Sequence, residues 1–143
     1  MPDAYASHLP VLTALINTDK PSRVLEFGAG LYSTPLFLEK CEYVVSVEKN
    51  ADWFQRIAIE YPDANLVTEP PSIANFDLIF IDDGENDAER CETIVAVLSR
   101  PHPMVVIHDA EVESYAEVID GYAVNYSIFP TDPDTAVILA TNT

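Results

Sequence analysis

One junction constrains this chain more than any other feature. Val24-Leu25-Glu26-Phe27-Gly28-Ala29-Gly30-Leu31-Tyr32-Ser33-Thr34 joins a β-branched run to a short helical pattern through a glycine turn. Gly28 and Gly30 let the backbone turn tightly and let a ligand approach main chain that a Cβ would shield. The helix that follows offers unpaired N–H groups to a polar or anionic group. The rest of the chain keeps the same alternation of short apolar runs and helical segments, which predicts one layered α/β domain over residues 1–143.

The pattern places a leading helical segment in residues 1–22, over Tyr5 to Ile16, with Pro10 expected to divide it. The sheet core of residues 23–143 then reads as strands at Arg23 to Phe27, Tyr43 to Glu48, Asn65 to Thr68, Phe76 to Asp82 and Met104 to His108. Helices fall at Ser33 to Lys40, from Asn50 or Asp52 to Tyr61, at Ala88 to Ser99 and at Val112 to Ile119. Phe76 to Asp82 is continuously apolar until its final acid, as expected of a strand covered on both faces. Tyr122 to Phe129 and Thr135 to Thr141 are separated only by a Pro/Asp turn, so as neighbours they must pair antiparallel. Glu69 to Asn75, with two prolines, is too short for an ordinary crossover helix. Either the chain crosses there bare, or the third strand is misplaced. A bare sheet face is one that a second copy could cover, so a homodimer is an expectation.

Two acids sharpen the glycine turn. Glu48 closes the second strand about 20 residues on, where a carboxylate can accept both ribose hydroxyls. Glu26 precedes the glycines, and an acid there suits a cationic ligand better than a pyrophosphate. The third glycine of a dinucleotide-binding turn is absent, Ser33 standing in its place.

In these residues the chain resembles the class I S-adenosylmethionine-dependent methyltransferases. VLEFGAGLYST (24–34), VVSVEKN (44–50), FDLIFIDD (76–83) and VVIHDAE (105–111) carry the resemblance, together with the C-terminal antiparallel pair. It implies a Rossmann-like sheet, mostly parallel, and S-adenosylmethionine as cofactor. It further implies Glu26, Gly28 and Gly30 around the methionine moiety, with Ser33 and Thr34 donating near its carboxylate. Glu48 would hold the ribose, Lys49 or Asn50 would flank the adenine, Glu69 would face its amino group, and Asp82 would also belong to the cofactor site.

Methyl transfer is a direct displacement, so the protein must chiefly align a nucleophile and sometimes remove a proton. Asp82, Asp83, His108 and Asp109 gather at the ends of the fourth and fifth strands. His108 is the candidate base, with Asp82 and Asp109 as carboxylates to orient it. Asp82 and Asp109 also resemble the acids of the magnesium-dependent O-methyltransferases, but Ala110 stands where those enzymes carry asparagine, so no metal site is expected. Arg90 is expected in a surface salt bridge rather than on a substrate carboxylate.

Charge limits the partners. There are 24 acids against 7 bases, a formal net charge of −17, and only Lys20, Lys40 and Lys49 are lysines. Phosphate recognition needs clustered bases, which disfavours nucleic acid and anionic membranes. Self-repulsion on this scale is expected of a protein adapted to a high-salt cytoplasm. No apolar run reaches the roughly 20 residues that span a bilayer, and Met1 to Leu9 lacks the pattern of a signal peptide. Cys41 and Cys91 belong to no metal-ligand cluster. The reading is a methyltransferase acting on a small molecule or protein side chain. The alternatives are a cofactor-binding or assembly module without turnover, an aminopropyltransferase, or an NAD-dependent enzyme.

Overall fold

The computed structural model describes residues 8–84, 86–131 and 133–141. Seven strands form one sheet: β1 (Arg23–Phe27), β2 (Tyr43–Val47), β3 (Leu66–Val67), β4 (Leu78–Ile81), β5 (Met104–His108), β6 (Tyr126–Phe129) and β7 (Thr135–Ile138). Their order is β3-β2-β1-β4-β5-β7-β6. The first five pair in parallel, and β7 runs antiparallel to both β5 and β6. The short Pro/Asp connection enforces that last pairing, because a parallel return needs a longer chain.

Five helices flank the sheet: α1 (Leu9–Asp19), α2 (Ser33–Lys40), α3 (Ala51–Glu60), α4 (Asp87–Leu98) and α5 (Glu113–Tyr122). The leading helix differs from expectation. It is unbroken, and Pro10 lies in its first turn, where a missing N–H costs nothing. Tyr5 lies outside the described residues. α3 and α4 start on Asn50 and Asn86, whose side chains accept from the Trp53 and Glu89 amides at 2.9 and 3.0 Å.

Strand alternation sorts the core into two layers. Val24, Val44, Leu78, Phe80, Val106 and Val137 face Leu12 and Ile16 of α1 and Phe37 of α2. Leu25, Val45, Ile79, Val105 and Ile138 face the other way, in a cluster with Ile94 and Val97 of α4 and Ile119 of α5. All of β4 is buried, because it lies mid-sheet with a layer on each side. Cys41 and Cys91 are free thiols packed as small apolar groups against the two layers.

The β3–β4 link crosses without an α-helix. It contains only a single 3-10 turn at Ile73–Asn75. Ile73 packs against the core cluster that holds Phe27 and Val47, and all three also line the cleft.

Candidate functional site

A cleft of about 1340 Å³ opens at the carboxyl ends of β1, β2 and β4, the place where open α/β sheets receive ligands. Gly28 and Ala29 form its floor, and Glu48, Lys49 and Asn50 one side. Trp53 and Arg56 of α3, Asp82 to Gly84, Pro70 to Ile73 and the flank of α4 also line it.

Glu48 is the hinge of this geometry. Its two oxygens accept separately, from the Ala29 amide at 3.3 Å and the Asn50 amide at 3.0 Å. The carboxylate therefore links the glycine turn to the start of α3 while half-buried beside the cleft. Burial raises its pKa above the ordinary value, against the pull of those amides. Trp53 Nε1 donates to the Ala29 carbonyl at 2.5 Å, and the Tyr61 hydroxyl to the Leu31 carbonyl at 3.1 Å. Arg56 stacks on Trp53 at 5.1 Å. The turn is thus pinned by α3 from outside before any ligand arrives.

Glu26 has a different place from the one the resemblance implies. It is fully buried, and its carboxyl accepts from three hydroxyls: Ser33, in a very short bond, Thr34 at 2.6 Å and Ser46 at 2.8 Å. Ser46 lies directly opposite it in the β1–β2 register. Ser33 and Thr34 therefore turn inward to Glu26, and Thr34 Oγ1 also accepts the Gly30 amide at 2.9 Å. Burial pushes the Glu26 pKa up to about 7, the three hydroxyls restraining the rise. Together these residues brace the turn from beneath and do not line the cleft.

Gly28 is required by the protein itself. Its φ is +88°, and a Cβ there would lie 2.4 Å from the Asp82 carbonyl oxygen. At Gly30 a Cβ would meet only the Ser33 hydroxyl, at 3.3 Å. Lys49 is exposed at the cleft edge, and Asn50 spends its side-chain oxygen capping α3. Glu69 is exposed, and Pro70 and Pro71 form the wall next to it.

Beyond the cleft floor, β4 and β5 end in a charged network whose central arginine was expected at the surface. Arg90 is not at the surface but buried, with 7% exposure. Its Nη2 binds Asp82 at 3.0 Å and its Nη1 binds Asp109 at 3.1 Å. It also donates to the backbone carbonyls of Asp83, at 2.7 Å, and His108, at 3.1 Å. Tyr115 covers the guanidinium at 5.0 Å. The two acids that resembled magnesium ligands thus share an arginine. His108 Nδ1 lies 3.3 Å from the Asp82 carboxylate. Burial lowers the pKa of His108, but Asp82 and Asp109 outweigh it and hold the imidazolium above its ordinary value. Of the acids and His108 expected at the chemical centre, Asp82 and Asp83 reach the cleft. His108 sits behind Asp82, and Asp109 adopts a left-handed φ of +62° at the strand end.

Arg90 left little sequence signal, since a helix arginine beside Glu89 reads as surface. Trp53, as the lone tryptophan in the first turn of the helix after Glu48, was the more legible omission.

No family sequence model matches the chain, and no curated protein sequence does. Solved structures do. A methyltransferase from Geobacter sulfurreducens superposes with a TM-score of 0.70 at 17% identity, over 99% of this chain and 82% of that one. The N-methyltransferase NodS from Bradyrhizobium japonicum, in complex with S-adenosyl-L-homocysteine, gives 0.62 at 16% identity, over 92% and 83%. The 1,6-didemethyltoxoflavin-N1-methyltransferase of Burkholderia thailandensis, with its substrate and S-adenosylhomocysteine bound, gives 0.59 at 18%, over 96% and 79%. The chain has the Rossmann-like fold of the class I S-adenosylmethionine-dependent methyltransferases.

Proposed function

We propose that the chain binds S-adenosylmethionine in the cleft and transfers its methyl group to a small molecule or a protein side chain. The observation that carries this reading is the placement of Glu48. It joins the glycine turn at the carboxyl end of the sheet, with free lone pairs for a ribose diol and Trp53 beside it. The turn's floor is backbone packed on backbone, which leaves the ligand the side facing Glu48. In the neighbouring Asp82–His108 pair, Asp82 orients the imidazole that would take a proton from the acceptor, and Asp109 adds negative charge behind it. The acidic surface argues against a nucleic-acid acceptor and for work at high salt. A second reading, cofactor binding without turnover, draws on the arginine that ties up Asp82 and Asp109 and on the burial of His108.

Trp53 is the only tryptophan and lines the cleft, so its fluorescence reports occupancy directly. Titration with S-adenosylmethionine in molar salt should change that emission, and NAD should not. Glu48→Ala should weaken the cofactor by roughly 10- to 100-fold, the range for a hydrogen-bonded charge. Unchanged affinity in that variant would sink the assignment. An acceptor screen then separates the two readings: transfer lost in His108→Ala with cofactor binding retained places His108 in the chemistry.

A further inference from the structure

Another buried histidine lies outside the cofactor reading. His8 precedes α1 and shows 2% exposure, yet its side chain caps no helix amide. The ring turns inward instead, packing against Phe80 at 5.1 Å and edge-on to His108 at 4.6 Å. Neither of its nitrogens has a hydrogen-bond partner among the described residues. Polar atoms left unpaired in a core cost stability, which calls for a compensating group.

We infer that His8, Asp82 and His108 together bind a divalent transition-metal ion of the zinc type. One ligand atom from each lies within 4.8 Å of the others. A tetrahedral ion with bonds of about 2.0–2.2 Å sets its ligands about 3.4 Å apart, a closure that side-chain rotation supplies. Arg90 and His108 both engage Asp82 Oδ1, and Oδ2 has no hydrogen bond among the described residues. Asp82 brings a carboxylate to the two imidazoles, and Arg90 divides its charge between Asp82 and Asp109. Two imidazoles and one carboxylate select zinc, cobalt or nickel over magnesium, which prefers oxygen. The site differs from the Asp82–Asp109 pair that the sequence suggested and set aside, since Asp109 serves Arg90 here. An ion there would make His108 a ligand rather than a general base.

Cobalt(II) is the probe, added to the chelator-treated full chain without S-adenosylmethionine. One equivalent should bind with an intense visible ligand-field band and withstand excess magnesium, which would strip ions held only by surface acids. His8→Ala and His8→Gln should each weaken cobalt at least tenfold and alter the band, while circular dichroism stays native. His102→Ala, in the remaining histidine, should leave both unchanged. No visible band, displacement by magnesium, or equal affinity in the His8 variants would overturn the inference. So would a loss in His102→Ala matching that in His8→Ala. Because Trp53 emission reports the cofactor separately, failure here leaves the cofactor reading standing, and the converse holds.

Discussion

Glu26 shows how far one residue's role can move once its neighbours are known. Its charge suggested a partner for a cationic ligand, yet three hydroxyls and complete burial make it a brace. Its folded pKa of about 7 exceeds the 4.5 of an unperturbed glutamate, so the native state holds its proton more tightly than the unfolded chain does. Ionisation therefore costs native stability as pH rises from about 4.5, and the cost is complete above about 7, on the order of 3 kcal/mol. Glu26→Gln, close in shape to the protonated acid, should match wild type in Tm near pH 5 and exceed it at pH 8. Gly28 carries a second prediction. Gly28→Ala forces a Cβ against the Asp82 carbonyl at a positive φ and should lower stability in urea by more than about 2 kcal/mol. A loss of ligand binding in that variant would report collapse of the turn rather than a removed contact.

At the scale of elements, Arg90 is the tie between α4 and the ends of β4 and β5. It binds a side chain from each strand end and a carbonyl from each. Removing it strands two carboxylates that are still part-exposed, so water restores some of the loss. Arg90→Ala should cost on the order of 3 kcal/mol in chemical denaturation. Arg90→Lys should recover only part, since a point charge cannot span both acids. Asp82→Asn with Arg90→Ala should cost less than the sum of the single changes if the pair acts as a unit. The bare β3–β4 link matters at this scale too. In place of a crossover helix, the 3-10 turn sets Ile73 against the cluster of Phe27 and Val47 at the cleft.

Over the whole molecule, the excess of 17 negative charges sets the conditions for folding. Like charges on a compact body repel, and salt shortens that repulsion to about 8 Å or less. Tm should climb steadily with potassium chloride into the molar range, well past the point where an ordinary protein levels off. A flat Tm across that range would show that the charge is balanced by local pairing. Among the described residues no helix is long and apolar enough to cross a membrane.

The sequence by itself determined the alternation of elements, the antiparallel end of the sheet and the position of the glycine turn with Glu48 behind it. These rest on local rules: side-chain period, turn chemistry and the length a connection needs. The uncovered link was legible for the same reason. Only the tertiary structure decided what the acids do. Ser46 meets Glu26 through strand register, Arg90 meets Asp82 and Asp109 through the packing of α4, and His8 meets His108 across the sheet end. Partners so far apart in sequence leave no periodic trace, because a buried charge is satisfied by whichever group the fold brings within about 3 Å.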